Sequence, residues 1–300
     1  MKIIVFIKSV MDMAVALEGV EEVGRLNEDW NVEVLNPDDN AALEEALKVK
    51  RNIAGTRIAA VHLGPPSGDR FLRDALALGC DEGLRVWDAG LDDLHTAGKL
   101  LIFARIAAIL GFDLIFTGTK SLDTGSGRLA VLLATALQIP CVTRVVGIDV
   151  ISPETITATR RLERGYQEQV ESRRPLVVAM VAGEEPDAYA SFPAVAEAAD
   201  AAIPCLDLPR IGIPLEAIRQ AESRLAFGPL RFPAPRPEFI QPPDSSLPAF
   251  DRRIQLGEGS MATRQGRIVR GTEDAVVEEL FETLRRNGWL DHLRKESEKA

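Results

Sequence analysis

Small and hydroxyl-bearing residues crowd one stretch of this chain, Gly118-Thr119-Lys120-Ser121-Leu122-Asp123-Thr124-Gly125-Ser126-Gly127-Arg128. The apolar run 113–117 before it reads as a buried parallel strand, and Leu129–Leu137 after it reads as a helix. A loop from a strand end into a helix start brings several backbone N–H groups to one point. That point is the positive end of a helix dipole, which suits a phosphate. An ordinary βα turn uses the same residue types. The loop by itself leaves both readings open.

The elements that would position this loop follow from pattern. Five short apolar segments read as buried strands: 2–7, 57–62, 83–86, 113–117 and 176–181. Helical spacing lies between them. Residues 40–52 carry Ala42, Leu43, Ala46 and Leu47, residues 69–78 carry Phe71, Leu72, Ala75 and Leu78, and 96–110 forms a third helix. Strands alternating with helices predict an α/β fold with right-handed crossovers and a mostly parallel sheet covered on both faces. Residues 155–161 and 166–172 alternate differently around Glu163-Arg164-Gly165 and predict an antiparallel hairpin.

The composition changes after Pro204. Prolines 229, 233, 235, 237, 242, 243 and 248 crowd a stretch without helical periodicity. Proline fixes φ and removes donors, so this predicts an extended arm. A last helix follows, with Thr272 as N-cap, Val276, Val277, Leu280, Phe281 and Leu284 on its apolar face and Gly288 as its stop. The division expected is a nucleotide-binding α/β domain over 1–204, then an arm and amphipathic helix over 205–300 that need a surface to cover. That surface is either this domain or another chain.

Bulk properties exclude several classes. With 46% hydrophobic and 27% charged residues the chain has a globular composition. A net charge of −10 argues against nucleic acid as the main partner. The three cysteines and three histidines are scattered and make no zinc spacing. So few cysteines fit a reducing cytoplasm. The first apolar run is too short for a signal peptide, and no apolar stretch is long enough to span a membrane.

Several motifs in order resemble the β subunit of electron transfer flavoprotein. They are Lys8-Ser9-Val10 after the first strand, then Asn36-Pro37-Asp38-Asp39 leading into Ala42-Leu43-Glu44-Glu45-Ala46-Leu47. Leu63-Gly64-Pro65 and Arg73-Asp74-Ala75-Leu76-Ala77-Leu78-Gly79-Cys80-Asp81 continue the likeness. Gly118 through Ala134 aligns without a gap to the family's nucleotide-phosphate loop. Glu185-Pro186-Asp187-Ala188-Tyr189-Ala190-Ser191-Phe192-Pro193 is similar to its docking segment, and 266–288 to its C-terminal helix.

The resemblance implies a Rossmann-like sheet of the adenine nucleotide alpha hydrolase-like type. It implies a heterodimer with an electron transfer flavoprotein α subunit that carries the redox FAD. This subunit would hold AMP, or a second FAD if it is an electron-bifurcating member. Electrons would arrive from a dehydrogenase, often of the acyl-CoA type, and leave to an acceptor flavoprotein or quinone reductase. Such a subunit is a carrier with no catalytic side chains, because the redox chemistry belongs to the flavin. Carried over residue by residue, the nucleotide contacts fall on Phe6, Asn36, Pro37, Asp38, Asp39, Leu63, and Gly118, Thr119, Lys120, Ser121, Leu122, Asp123, Thr124, Gly125, Ser126, Gly127, Arg128 and Leu129. Phe6 and Leu63 are equally readable as plain core, and Asn36 as a helix cap. Tyr189, Phe192 and Pro193 fall on the partner-docking segment, where Phe192 is either an exposed anchor or a buried one. The hairpin arginines Arg160, Arg161 and Arg164 either face solvent or reach the partner's flavin.

Two departures stand out. The family's Gln-Thr-Gly at the end of the phosphate loop is Arg128-Leu129-Ala130 here, so a hydroxyl is lost and a guanidinium gained. The lysine run after the docking segment is replaced by Ala194-Val-Ala-Glu-Ala-Ala-Asp200. A different class remains in view, the ATP-using ligases and nucleotide-binding stress proteins of the same architecture. A ligase would want a Ser-Gly-Gly-x-Asp-Ser-like loop after the first strand, where this chain has Lys8-Ser9-Val10-Met11-Asp12.

Overall fold

The computed structural model describes residues 1–12, 32–91, 94–152, 154–183, 188–223, 245–257 and 269–286. Along the chain come β1 (Lys2–Ile7), β2 (Ser9–Met11), β3 (Glu33–Leu35), α1 (Pro37–Asn52), β4 (Arg57–Leu63), α2 (Asp69–Leu78), β5 (Glu82–Val86), α3 (Thr96–Leu110), β6 (Leu114–Gly118), α4 (Leu129–Leu137), β7 (Cys141–Ile151), β8 (Thr155–Arg161), β9 (Gln167–Arg173), β10 (Leu176–Met180), α5 (Phe192–Ala199), β11 (Cys205–Leu206), α6 (Leu208–Ile211), α7 (Leu215–Glu222), α8 (Ala249–Gly257) and α9 (Glu273–Arg286). They divide into two compact units, 1–232 and 233–300.

In the first unit a nine-stranded sheet runs in the order β11-β5-β4-β1-β6-β10-β7-β8-β9. Every pairing from β11 to β7 is parallel. The central strands are apolar on both faces because helices cover both. Ile3 to Ile7 of β1 and Leu176 to Met180 of β10 are all buried. One core packs Leu43, Ala46 and Leu47 of α1 and Leu72 of α2 against Val5, Ile58 and Phe116. The other packs Ile102, Phe103 and Ile106 of α3 and Leu133 of α4 against Ile4, Phe6 and Ile115. The chain leaves β1 through α1 toward β4, and leaves β6 through α4 toward β7, on opposite sides. The crevice between β1 and β6 is therefore the topological switch point, where open α/β sheets take their ligands.

The expected hairpin exists as β8 and β9, registered from Thr155 opposite Arg173 to Arg161 opposite Gln167. It is longer than sequence suggests, because β7 joins it. The first part of β7 pairs in parallel with β10 and the rest pairs antiparallel with β8. Register shifts around Val178/Met180, Val145/Gly147 and Ile148/Val150 allow one strand to serve both ladders. Arg144 sits at this bend with φ +60°.

Residues 205–218, which composition assigns to the arm, pack in the first unit. β11 lies along β5, and Leu208, Ile211 and Ile218 are buried in the second core. A two-residue strand and three isolated anchors leave no periodic signal. The proline-rich segment around 229–243 falls outside the described residues. In the second unit, α9 carries Glu273 and Asp274 in its first turn and Arg285 and Arg286 in its last, matching the helix dipole. Its residues Val277, Leu280 and Phe281 are exposed. No helix among the described residues is long and apolar enough to cross a membrane.

One polar side chain sits in the core at the carboxyl end of β4. His62 is 1% exposed, and its Nδ1 has no hydrogen-bond partner. The ring lies under the turn at 64–68, where a Cβ on Gly64 or Gly68 would overlap it. Burial, with the Arg85 charge adding to it, lowers the imidazole from 6.5 to about 4. The unfolded chain therefore binds a proton below pH 6.5 that the folded chain refuses until pH 4. The folded-state advantage is present above pH 6.5 and is lost as pH falls toward 4, by about 3 kcal/mol in all. We predict that His62→Leu removes this dependence. Urea midpoints of the two proteins should converge between pH 7 and pH 4.5, and parallel midpoint curves would disprove it.

Candidate functional site

The site is built on the first turn of α1. Pro37 fits the first helical position, where its fixed φ helps and its missing N–H is not needed. Asp38 and Asp39 follow in the same turn, and with Asn36 they are buried. Their carboxylates accept hydrogen bonds from backbone amides. Asp39 accepts hydrogen bonds from the Lys8 amide at 3.1 Å and the Gly118 amide at 2.7 Å. Asp38 accepts from the Lys120 amide at 3.1 Å and the Ala182 amide at 2.8 Å. Four amides at the ends of β1, β6 and β10 are thus held by two neighbouring side chains. Burial pushes the Asp39 carboxyl up to about 7, against the pull of its hydrogen bonds from Gly118, Asn36 and Lys8. The contact is so close that a Cβ on Gly118 would overlap Asp39 Oδ1 and come within 2.8 Å of Asp38 Cβ.

Asn36 occupies the N-cap position of α1, yet its side chain makes no cap bond. It crosses to the loop after β6. Its Nδ2 donates to the Lys120 carbonyl at 3.0 Å, and its Oδ1 accepts from the Leu122 amide at 3.2 Å. The loop then folds on itself. The Gly125 amide donates to the Ser121 carbonyl at 2.9 Å, and the hydroxyls of Ser121 and Thr124 are 3.0 Å apart. Gly125 and Gly127 take φ of +57° and +59°, a backbone region that glycine enters without a Cβ penalty. Among the described residues, the amides of Ser126 through Ala130 have no acceptor, and no side chain caps α4. This is a row of donors at a helix N-terminus, with the exposed Arg128 beside it.

Across the crevice, the Lys8 ammonium forms an ion pair with Asp123. Burial acts to raise the Asp123 carboxyl, but Lys8, the Ser121 hydroxyl and the Thr124 amide together bring it down to about 2. Lys8 and Asp123 are far apart along the chain, so no local spacing marks them as a pair.

The remaining expected residues are placed as follows. Phe6 is 3% exposed and packs on Phe103 with ring centroids 4.3 Å apart. Leu63 is partly buried against the same core. Thr119 is tied to β10, its amide donating to Met180 and its hydroxyl to the Ala179 carbonyl. Leu122 through Arg128 are exposed. Tyr189 and Phe192 are 86% and 85% exposed. Phe192 and Pro193 open α5, whose N-cap Ser191 accepts from the Ala194 amide. No cluster among the described residues could hold a metal ion.

The clamp carries a prediction. Gly118→Ala should destabilise the fold by about 1–3 kcal/mol, because the added methyl meets a helix end whose carboxylates are already fixed. Chemical denaturation measures it, and an unchanged midpoint would show that the helix end can move aside.

A model of the electron transfer flavoprotein domain matches residues 23–210. The electron transfer flavoprotein subunit beta of Bacillus subtilis is 32% identical over 180 residues, covering 60% of this chain and 69% of that protein. The subunit of the same name from Methylophilus methylotrophus is 29% identical over 227 residues, covering 74% and 85%. The acryloyl-CoA reductase electron transfer subunit gamma of Anaerotignum propionicum is 30% identical over 184 residues, covering 60% and 67%. With more than half the chain inside the domain and a clamp that organises a phosphate-type loop at the switch point, this chain belongs to the electron transfer flavoprotein family as a beta-type subunit.

Proposed function

We propose that this subunit binds an adenine nucleotide, AMP or FAD, at the switch point, and helps to position a redox FAD carried by an electron transfer flavoprotein α subunit. The observation that carries this reading is the row of unengaged amides from Ser126 to Ala130 beside Gly125, Gly127 and Arg128. A phosphate needs several donors converging at a helix N-terminus, and the guanidinium of Arg128 offers two more. Asn36, Asp38 and Asp39 act behind the loop, fixing its backbone. Flavin, when bound in the complex, supplies the electron chemistry. The side chains here bind, orient and shield.

The exposed α9 residues Val277, Leu280 and Phe281 support an arm that docks on the α subunit. Burying each large side chain is worth about 1.5–3 kcal/mol. Tyr189, Phe192 and Pro193 form a second, separate contact, for a dehydrogenase or acceptor flavoprotein that binds briefly. A relative named for acryloyl-CoA reductase supports a CoA-ester flavoenzyme in that role. A cytoplasmic place fits the three free cysteines, of which Cys80 is buried with its thiol pushed up to about 12. The ligase-type alternative is not favoured, since its loop after β1 is missing and the family match points elsewhere.

Three experiments test this reading. Acid extraction of the complex purified with its partner should release AMP, ADP or FAD, and an extract with none of them would overturn nucleotide binding. Gly127→Val should lower that content, because a side chain there is strained and crowds the phosphate position. Phe192→Ala should slow electron exchange with the dehydrogenase while nucleotide content stays normal, with an expected cost of about 2 kcal/mol in docking. Unchanged exchange, or loss of fold and nucleotide together, would make Phe192 a structural residue.

A further inference from the structure

A cavity of about 490 Å³ opens at the amino ends of β6 and β10. Those strands start side by side, with Leu114 opposite Leu176. The residues just before them, Phe112 and Asp113 on one side and Arg173, Arg174 and Pro175 on the other, therefore share one wall. Glu154 joins them from the turn between β7 and β8, where its carbonyl accepts from the Arg174 amide at 2.9 Å. From here β6 runs to Gly118 in the clamp, five residues that span about 16 Å. The cavity thus lies at the opposite end of the sheet from the crevice. Its volume is that of a small-molecule site, roughly 300–1,000 Å³.

The charged groups around it are only partly engaged. Asp113 Oδ2 accepts from the Lys2 amide at 2.7 Å. Arg174 is half-buried, its Nη1 donates to the Met1 sulfur at 3.2 Å, and its Nε has no hydrogen-bond partner. A thioether is a weak acceptor. Among the described residues Arg174 forms no ion pair, and neither do Arg173 and Glu154. A half-buried guanidinium facing a sulfur lacks the anion that would offset its lost hydration. A carboxylate matches its planar fork with two parallel hydrogen bonds. Two guanidiniums and two carboxylates line the cavity, so a singly charged acid fits its balance better than a doubly charged phosphate. Phe112 and Pro175 add an apolar flank.

We propose that this cavity binds a small carboxylic acid with an apolar body, its carboxylate on the Arg174 guanidinium and its body against Phe112 and Pro175. Arg173 adds a second cation at the rim. Glu154 faces the bound anion and sets a limit on the charge the site accepts. The site is independent of the nucleotide reading above, because it uses the other ends of the strands.

The test uses the full-length chain purified with its flavoprotein partner. Benzoate is the probe and benzamide its neutral counterpart, each titrated with ligand-detected NMR. A charge-assisted contact predicts that benzoate binds about tenfold more tightly than benzamide, or better. Arg174→Gln should remove that preference while the bound nucleotide content stays normal. Glu154→Gln should tighten benzoate binding, because it takes away a facing negative charge, and a loss of fold cannot produce such a gain. No benzoate binding, equal affinity for the two probes, or unchanged benzoate affinity in either variant overturns the site. Displacement of benzoate by added AMP also overturns it, because it places the probe at the loop after β6. Where Arg174→Gln fails to fold, Glu154→Gln decides alone: tighter benzoate binding supports the site and unchanged binding ends it.

Discussion

Two adjacent carboxylates hold this site together. Asp38 and Asp39 sit in the first turn of α1 and accept four backbone hydrogen bonds from the ends of β1, β6 and β10. Burying charge is costly unless donors satisfy it. Here the donors are amides that would otherwise be orphaned where strands turn into loops, and the dipole of α1 adds its positive end. The strand ends and the helix start therefore depend on each other. Gly118 shows how tightly, since its neighbours leave no room for a single methyl group.

From that clamp the rest of the site follows. The loop after β6 is fixed near its start by Asn36 and by the tie of Thr119 to β10, while its later part is exposed. A rigid base with an exposed rim of free amides is a suitable binding device. The base sets position, and the rim meets the ligand without rearranging the core. The ion pair of Lys8 and Asp123 spans the crevice between the two halves of the sheet, so the charge balance there is set by residues that follow β1 and β6.

The chain carries its function by placement. No catalytic constellation is needed where flavin supplies the chemistry. What the protein must control is distance and the lifetime of its contacts. The large apolar side chains of the sheet are buried in two cores, whereas Phe192, which opens a short capped helix, and Tyr189 just before it are left almost fully exposed. A few exposed aromatics suit contacts that must form and release quickly. For the docking proposed above, Glu197, Asp200 and a net charge of −10 would call for a basic partner surface.

Much of the fold was legible in the residues. Buried parallel strands are short apolar runs, and amphipathic helices repeat at helical spacing, so β1, β4, β5, β6, β10 and α1 to α4 could all be read locally. The loop 118–128 could be read as a strand-to-helix connection, but its glycine and hydroxyl residues fit an ordinary βα turn as well as a phosphate loop, and only the resemblance to the family favoured the second. Three things were decided only in the tertiary structure. The role of Asn36, Asp38 and Asp39 as a clamp is invisible locally, because acidic residues in a first helical turn look like ordinary dipole partners. The place of β7 and of residues 205–218 in the first unit depends on neighbours far along the chain, through register shifts and isolated anchors. The meeting of Lys8 and Asp123 depends on β1 and β6 lying side by side. Local propensity and hydrophobic period act over a few residues and determine elements. Ion pairs, buried hydrogen bonds and strand register join residues that are distant in sequence, and only the folded chain brings those together.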